Sequence, residues 1–239
     1  MDSSLAEAHT ALATVKLAYD RDWDGAESEF KEAVALNPNY ATAHHWYSHY
    51  LVPMGKLDEA AHELELARDL DPFSQPINEF LGTTLYYAHR YDDSLRQARR
   101  ASEMRPELSQ PHDQAADIYE QQNKLAEAFT ERQRASRING DTAVVAALDE
   151  VYQRSGYGGY LRARIDSLER TSKAGAVPNL LLAHLYARSG DRSQVLHYLE
   201  RAYDEDDPWL VNVRVDPAFE PVRSDPRFRN LMRRLDLPP

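Results

Sequence analysis

The segment ATAHHWYSHY, residues 41–50, carries three histidines, and His45 and His49 stand four apart. On a helix that spacing puts two imidazoles on one face, one turn apart, which is a metal-binding geometry. A zinc protease also needs a Glu directly after the first His as general base, and Trp46 stands there instead. The residue types and spacing therefore leave two readings, a zinc site with Glu79 as its third ligand or a helix whose histidines pack and contact a partner. The second is preferred, and no cofactor is assigned.

Composition narrows the chemistry further. The 239 residues contain no cysteine, which removes disulfides, thiolate metal sites and a Cys nucleophile. A net charge of −11 opposes binding to nucleic acid. The two dense basic runs, Arg96, Arg99, Arg100, Arg105 and Arg132, Arg134, Arg137, lie on amphipathic segments and read as solvated helix surface. The opening MDSSLAEAHTAL has no basic segment followed by an apolar one, and no stretch approaches a membrane span. The expectation is a soluble, cytoplasmic, non-enzymatic protein, because no Ser/His/Asp spacing suits a preorganised helical hairpin.

The elements that hold these residues follow from a period. Asn37-Pro38, Asp71-Pro72 and Arg105-Pro106 recur every 34 residues, each ending an amphipathic segment. The same interval links Ala26, Ala60, Ser94 and Ala128, and then Ala33, Ala67, Ala101 and Ala135. A unit of this length holds two helices and a turn, and each hairpin must cover its neighbour. Thr14, Ser48, Gly82 and Ala116 mark close helix approach, whereas Leu17, Leu51, Leu85 and Tyr119 fill space between hairpins. Gly55 and Asn123 sit where a helix ends in the left-handed conformation, with Arg21 and His89 in the same slot. Trp23, Leu57, Tyr91 and Leu125 open the second helices.

This pattern resembles the tetratricopeptide repeat. Four units match, roughly 7–38, 41–72, 75–106 and 109–140. The family's Trp near the start of the first helix is replaced by Thr10, His44, Asn78 and His112. Arg132 takes a slot that Phe30 and Leu64 fill elsewhere, so looser packing is expected in the fourth hairpin. Tyr119, Tyr152 and Tyr186 continue the rhythm as packing residues, and GYGGY at 156–160 reads as a turn between helices.

The expected fold is all-α, an α-solenoid of about six hairpins. Residues 1–140 hold four regular repeats, 141–207 two degenerate ones (the sixth at 176–207), and 208–239 a cap of short helices. In that cap Asp207-Pro208, Asp216-Pro217 and Asp225-Pro226 signal helix starts, RFRNLMRRL at 227–235 is amphipathic, and WLVNVRV at 209–215 allows a brief extended piece. The tail, with NPNYATAHHWYSHYL, also resembles repeat regions at the C-terminus of bacterial multidomain regulators that carry winged-helix, protein kinase or nucleotide cyclase domains. That resemblance implies a sensory or interaction module.

Function in such a fold is expected on the surface of the first helices. One period from His45 and His49 lie Glu79 and Thr83, then Asp113 and Asp117, then Glu150, and last His184, with Tyr86, Tyr87 and Glu120 alongside. Rings and carboxylates suit a protein or peptide partner with basic and apolar side chains. The Lys and Asn clamp by which chaperone-tail binders of the family hold a terminal carboxylate is missing.

Overall fold

The computed structural model describes residues 3–172 and 178–237. The opening two residues of the chain, positions 176–177 of the expected sixth hairpin and the last two residues of the expected cap lie outside that range. The described residues form α-helices, a π-helical turn and two 3-10 segments, with no strand among them. Two compact units divide the chain: Met1–Ala101 with Asp236–Pro239, and Ser102–Leu235.

The first unit contains α1 (Ser3–Val15), α2 (Trp23–Leu36), α3 (Ala41–Leu51), α4 (Leu57–Leu70), α5 (Gln75–Tyr87) and most of α6 (Tyr91–Met104). The helices pair as α1 with α2 and α3 with α4, while α2 packs on α3 and α4 on α5. Ala26, Ala60 and Ser94 are fully buried, as are Ala33 and Ala67, because a small side chain at these positions lets two helix backbones close up. Ser94 adds a hydrogen bond, its Oγ donating to the Gly82 carbonyl at 2.7 Å. The anchors Trp23, Leu57 and Tyr91 are the first residues of α2, α4 and α6. Arg21, Gly55 and His89 all adopt left-handed backbone, with φ of 52°, 75° and 57°.

The second unit contains α7 (Gln110–Gln121), α8 (Leu125–Ile138), α9 (Thr142–Ser172), α10 (Asn179–Ser189), α11 (Arg192–Asp204) and α12 (Pro226–Arg234). Gly156 interrupts α9 with φ 63° and ψ −166°, so the expected turn at 156–160 is a one-residue break between two helical stretches. Leu161, Ile165 and Leu185 form a core beyond it, with Leu168 and Tyr186 packed against them. Tyr152 stacks on Phe129 at 3.8 Å and Tyr186 on Tyr198 at 5.4 Å, so these tyrosines pack between helices.

Each Asp-Pro signal in the tail starts a helical element. Asp207, Asp216 and Asp225 accept hydrogen bonds from the backbone N–H of Trp209, Ala218 and Arg227, and the following proline begins Pro208–Arg214, Pro217–Val222 and α12. The alternation in 209–215 misled: that stretch is a 3-10 helix and not an extended piece, since the Asp cap and Pro208 set its first turn. Phe228, Leu231 and Leu235 are buried, and α12 packs on α11.

Candidate functional site

Three histidines of α3 meet three different environments. His44 is 2% exposed, with Nδ1 2.5 Å from Glu63 and Nε2 2.9 Å from the Pro38 carbonyl. With an acceptor facing each ring nitrogen, the arrangement favours the doubly protonated imidazolium. Burial pulls its pKa down, but the Glu63 carboxylate and the Pro38 carbonyl outweigh that and raise it.

The same link recurs one period on. Asn78 Oδ1 accepts from Gln97 Nε2 at 2.6 Å in the third hairpin, and His112 Nδ1 meets Glu131 at 2.6 Å in the fourth. In the first hairpin Glu29 instead receives His9 at 2.6 Å and Lys16 at 2.9 Å. Polar ties between paired helices thus replace the apolar Trp of the repeat pattern. Their second column, Glu29, Glu63, Gln97 and Glu131, also repeats at 34 residues, a signal legible in the sequence but overlooked.

His45 and His49 share the neighbouring face of α3. Their Nε2 atoms approach to 3.3 Å, and the His49 ring lies parallel on Phe80 at 3.8 Å. Trp46 sits 5.0 Å from His49 and remains 37% exposed. Burial lowers the pKa of both imidazoles, His49 to about 3, so both are neutral. Phe80 escaped the reading of candidate residues, although it stands one period after Trp46. Glu79 accepts from Gln75 Nε2 at 2.8 Å, and Thr83 Oγ1 donates to the Glu79 carbonyl at 3.1 Å. Tyr87 is half-buried beside Tyr86, whereas Tyr86 is only 6% exposed and belongs to the interior of this unit.

In the second unit the candidate carboxylates come together, but around arginines. Arg132 is 6% exposed and reaches from α8 to Asp113 at 2.7 Å, to Asp117, and to Glu120 at 3.4 Å. Arg188 on α10 binds Asp117 and Glu120 as well, and the Tyr157 hydroxyl donates to Glu120. Burial pushes the Asp117 pKa up, but Arg132 and Arg188 overcome it and hold it low. Burial and the Glu120 charge raise that of Tyr157.

Two expectations are corrected here. Arg132 does not belong to a solvated basic face, and its slot in the fourth hairpin is filled by a guanidinium whose two terminal nitrogens face three carboxylates while its Nε is buried without a hydrogen-bond partner. Arg188 was not singled out; its partner Asp117 is 71 positions away, beyond any local spacing rule. His184, one helical turn before Arg188, packs its ring against Phe219 at 4.6 Å with Nε2 3.5 Å from Asp216. Burial keeps it neutral. Glu150 stands apart on exposed surface, 3.7 Å from Arg154. Beside the ion network lies a cavity of about 720 Å³, walled by Glu120, Tyr157, Leu161, Ile165, Arg188 and Pro217 among others.

Comparison with known proteins bears on the fold. No protein-family model matches the chain, and no curated protein matches it. Solved structures do. PilF from Pseudomonas aeruginosa is 20% identical over 88% of this chain and 96% of its own, with a TM-score of 0.56. The thermophilic TPR protein TTC0263 of Thermus thermophilus is 16% identical over 90% and 98%, with a TM-score of 0.52. Yeast Tom70 is 15% identical, covering 95% of this chain and 50% of its own, with a TM-score of 0.52. The chain has the all-α fold of TPR-like helical hairpins that these comparisons share.

Proposed function

We propose that the chain is a non-enzymatic protein-interaction scaffold that holds a peptide segment of a partner on the exposed face of its first helices. The observation that carries this reading is the ring surface of α3 and α5. Trp46, 37% exposed, borders neutral His45 and His49, with Phe80 beneath them. Large rings supply contact area at low entropic cost, and neutral imidazoles spare a partner's apolar side chains a charge. Glu79, Thr83 and Tyr87 form the polar margin and offer a carboxylate to a Lys or Arg.

Asp113, Asp117, Glu120 and His184 make a second recognition surface in the other unit. There an incoming cation competes with Arg132 and Arg188 for the same carboxylates, so affinity for basic side chains is lower than the acidic residues alone suggest. Tyr86 and Glu150 contribute least, the one by burial and the other by distance from the network.

The test is panning of a random peptide library on the purified chain, followed by calorimetry of the enriched peptides. Selected sequences combine aromatic or aliphatic residues with Lys or Arg, and Trp46→Ala weakens them at least about tenfold, the cost of one good interface anchor. Failure to enrich any peptide, or equal affinity for wild type, Trp46→Ala and Tyr87→Ala, overturns the reading.

A further inference from the structure

We infer that the cavity of the second unit is a pocket for an amphipathic organic cation, an apolar body that carries a primary ammonium or a guanidinium group. Its volume of about 720 Å³ suits a ligand of about drug size. The pocket belongs to the second unit alone, whereas the ring surface of α3 and α5 belongs to the first.

The apolar lining comes from separate elements. Beyond the break at Gly156, Tyr157, Leu161 and Ile165 follow at four-residue spacing, so one stripe of α9 presents a ring and two aliphatic side chains. Tyr186 on α10 joins them, and Pro217, Ala218 and Pro221 line the cavity from the Pro217–Val222 segment. These groups accept the body of a ligand and bind no charge.

The charged groups select its sign. Glu120, Asp166 and Asp191 line the cavity against Arg162 and Arg188. Behind them, Asp113 and Asp117 join Glu120 around Arg132 and Arg188. Five acids thus face three arginines, and a cleft with an excess of one sign draws the opposite one. Glu120 is already taken by Arg132, Arg188 and the Tyr157 hydroxyl. Asp166 and Asp191 carry the excess where a ligand reaches it, since both are exposed. Arg162 precedes Asp166 by four residues, the weaker orientation for such a pair, and no ion pair joins them among the described residues. Asp191 caps α11, its Oδ1 accepting from the Gln194 N–H at 3.1 Å, a contact that brings no cation. The cation is therefore placed at Asp166 and Asp191, with its apolar body against Leu161 and Ile165.

The experiment is calorimetric titration of the full chain with tryptamine. Two probes share its ring and differ in charge, indole-3-propionate as the anion and 3-ethylindole as the neutral form. Tryptamine binds saturably, and indole-3-propionate binds at least about tenfold more weakly, because one unit charge is repelled instead of attracted. Asp166→Asn/Asp191→Asn weakens tryptamine about three- to tenfold and leaves 3-ethylindole unchanged. Asn is as good a helix cap as Asp, and circular dichroism checks folding. Trp46→Ala binds tryptamine as the wild type does. The end-blocked dipeptide acetyl-Trp-Lys-amide separates two sources of the cation: tighter binding than tryptamine assigns the pocket to a side chain of a peptide, and weaker binding assigns it to a free amine. The assignment is overturned if tryptamine does not saturate, if indole-3-propionate binds equally well, or if Asp166→Asn/Asp191→Asn binds tryptamine unchanged. Loss of tryptamine binding in Trp46→Ala also overturns it. Such a failure leaves peptide binding at α3 and α5 standing, because that reading is decided by Trp46→Ala with selected peptides.

Discussion

His44 on α3 and Glu63 on α4 meet at 2.5 Å inside the second hairpin, tying its two helices by a charged hydrogen bond where the repeat pattern places an apolar contact. His44 is 2% exposed, and its other nitrogen donates to a backbone carbonyl. The tie is therefore part of the interior. Asn78–Gln97 and His112–Glu131 repeat it at the same register.

Glu63→Gln removes the charge that holds the imidazolium. The loss is about 1.5–3 kcal/mol, as for a hydrogen bond to a charged group. The folded pKa of His44 is raised, so its stabilisation is fully present below the unfolded value of about 6.5 and is lost as pH rises through the folded value. Urea denaturation of wild type and variant should show a larger difference at pH 6 than at pH 9. An equal penalty at both would mean the pair is not charged.

His49 has the opposite sign. Its folded pKa is lowered to about 3 by burial and by His45, so the neutral ring stabilises the fold above about pH 6.5, and that contribution is lost as pH falls toward 3. His49→Phe keeps the stack on Phe80 and cannot titrate. The variant's stability should therefore decline less steeply than that of the wild type between pH 6.5 and pH 4 in a denaturation series.

Arg132 anchors the acidic network of the second unit. Truncation to Ala removes this partner from Asp113, leaves Asp117 with Arg188, and leaves Glu120 with Arg188 and the Tyr157 hydroxyl. Breaking a buried ion network in this way costs about 3–5 kcal/mol. Arg132→Leu restores the apolar type found at Leu64 in the equivalent slot, yet it should be destabilised comparably, because the cost lies in the stranded carboxylates. A fully stable Arg132→Leu protein would sink this account.

Arg21 and His89 occupy left-handed backbone, with φ of 52° and 57°, in the slot that Gly55 fills at 75°. A side chain in that conformation costs about 1–2 kcal/mol, partly offset in the unfolded chain by the greater freedom of glycine. Arg21→Gly should raise stability by about 0.5–1 kcal/mol, a shift in Tm of about 2–4 °C per kcal/mol for a chain of this length. Gly55→Ala should lower it by a similar amount through backbone strain alone, since nothing lies within 4 Å of the added methyl. Differential scanning calorimetry reads both.

The hairpins were legible because their determinants are local or periodic. The starts of α2, α4, α6 and α8 at Trp23, Leu57, Tyr91 and Leu125 fall on the 34-residue period, and the buried alanines follow because helix pairs of one geometry need small residues at one register. Asp-Pro starts in the tail were readable for the same reason, as each cap bonds a backbone group two residues away. By itself, then, the sequence determined the all-α class, the starts of the second helices and of the Asp-Pro elements, the left-handed turns and the face on which His45 and His49 lie. Tertiary structure alone decided what those side chains do. A ring from α5 stacks on His49 where it meets His45, and buried Arg132 is met by carboxylates gathered from α7. The bridge from Arg188 to Asp117 spans 71 residues. Charge and protonation are set by neighbours in space, and spacing along a chain specifies such neighbours only within one helix or one repeat.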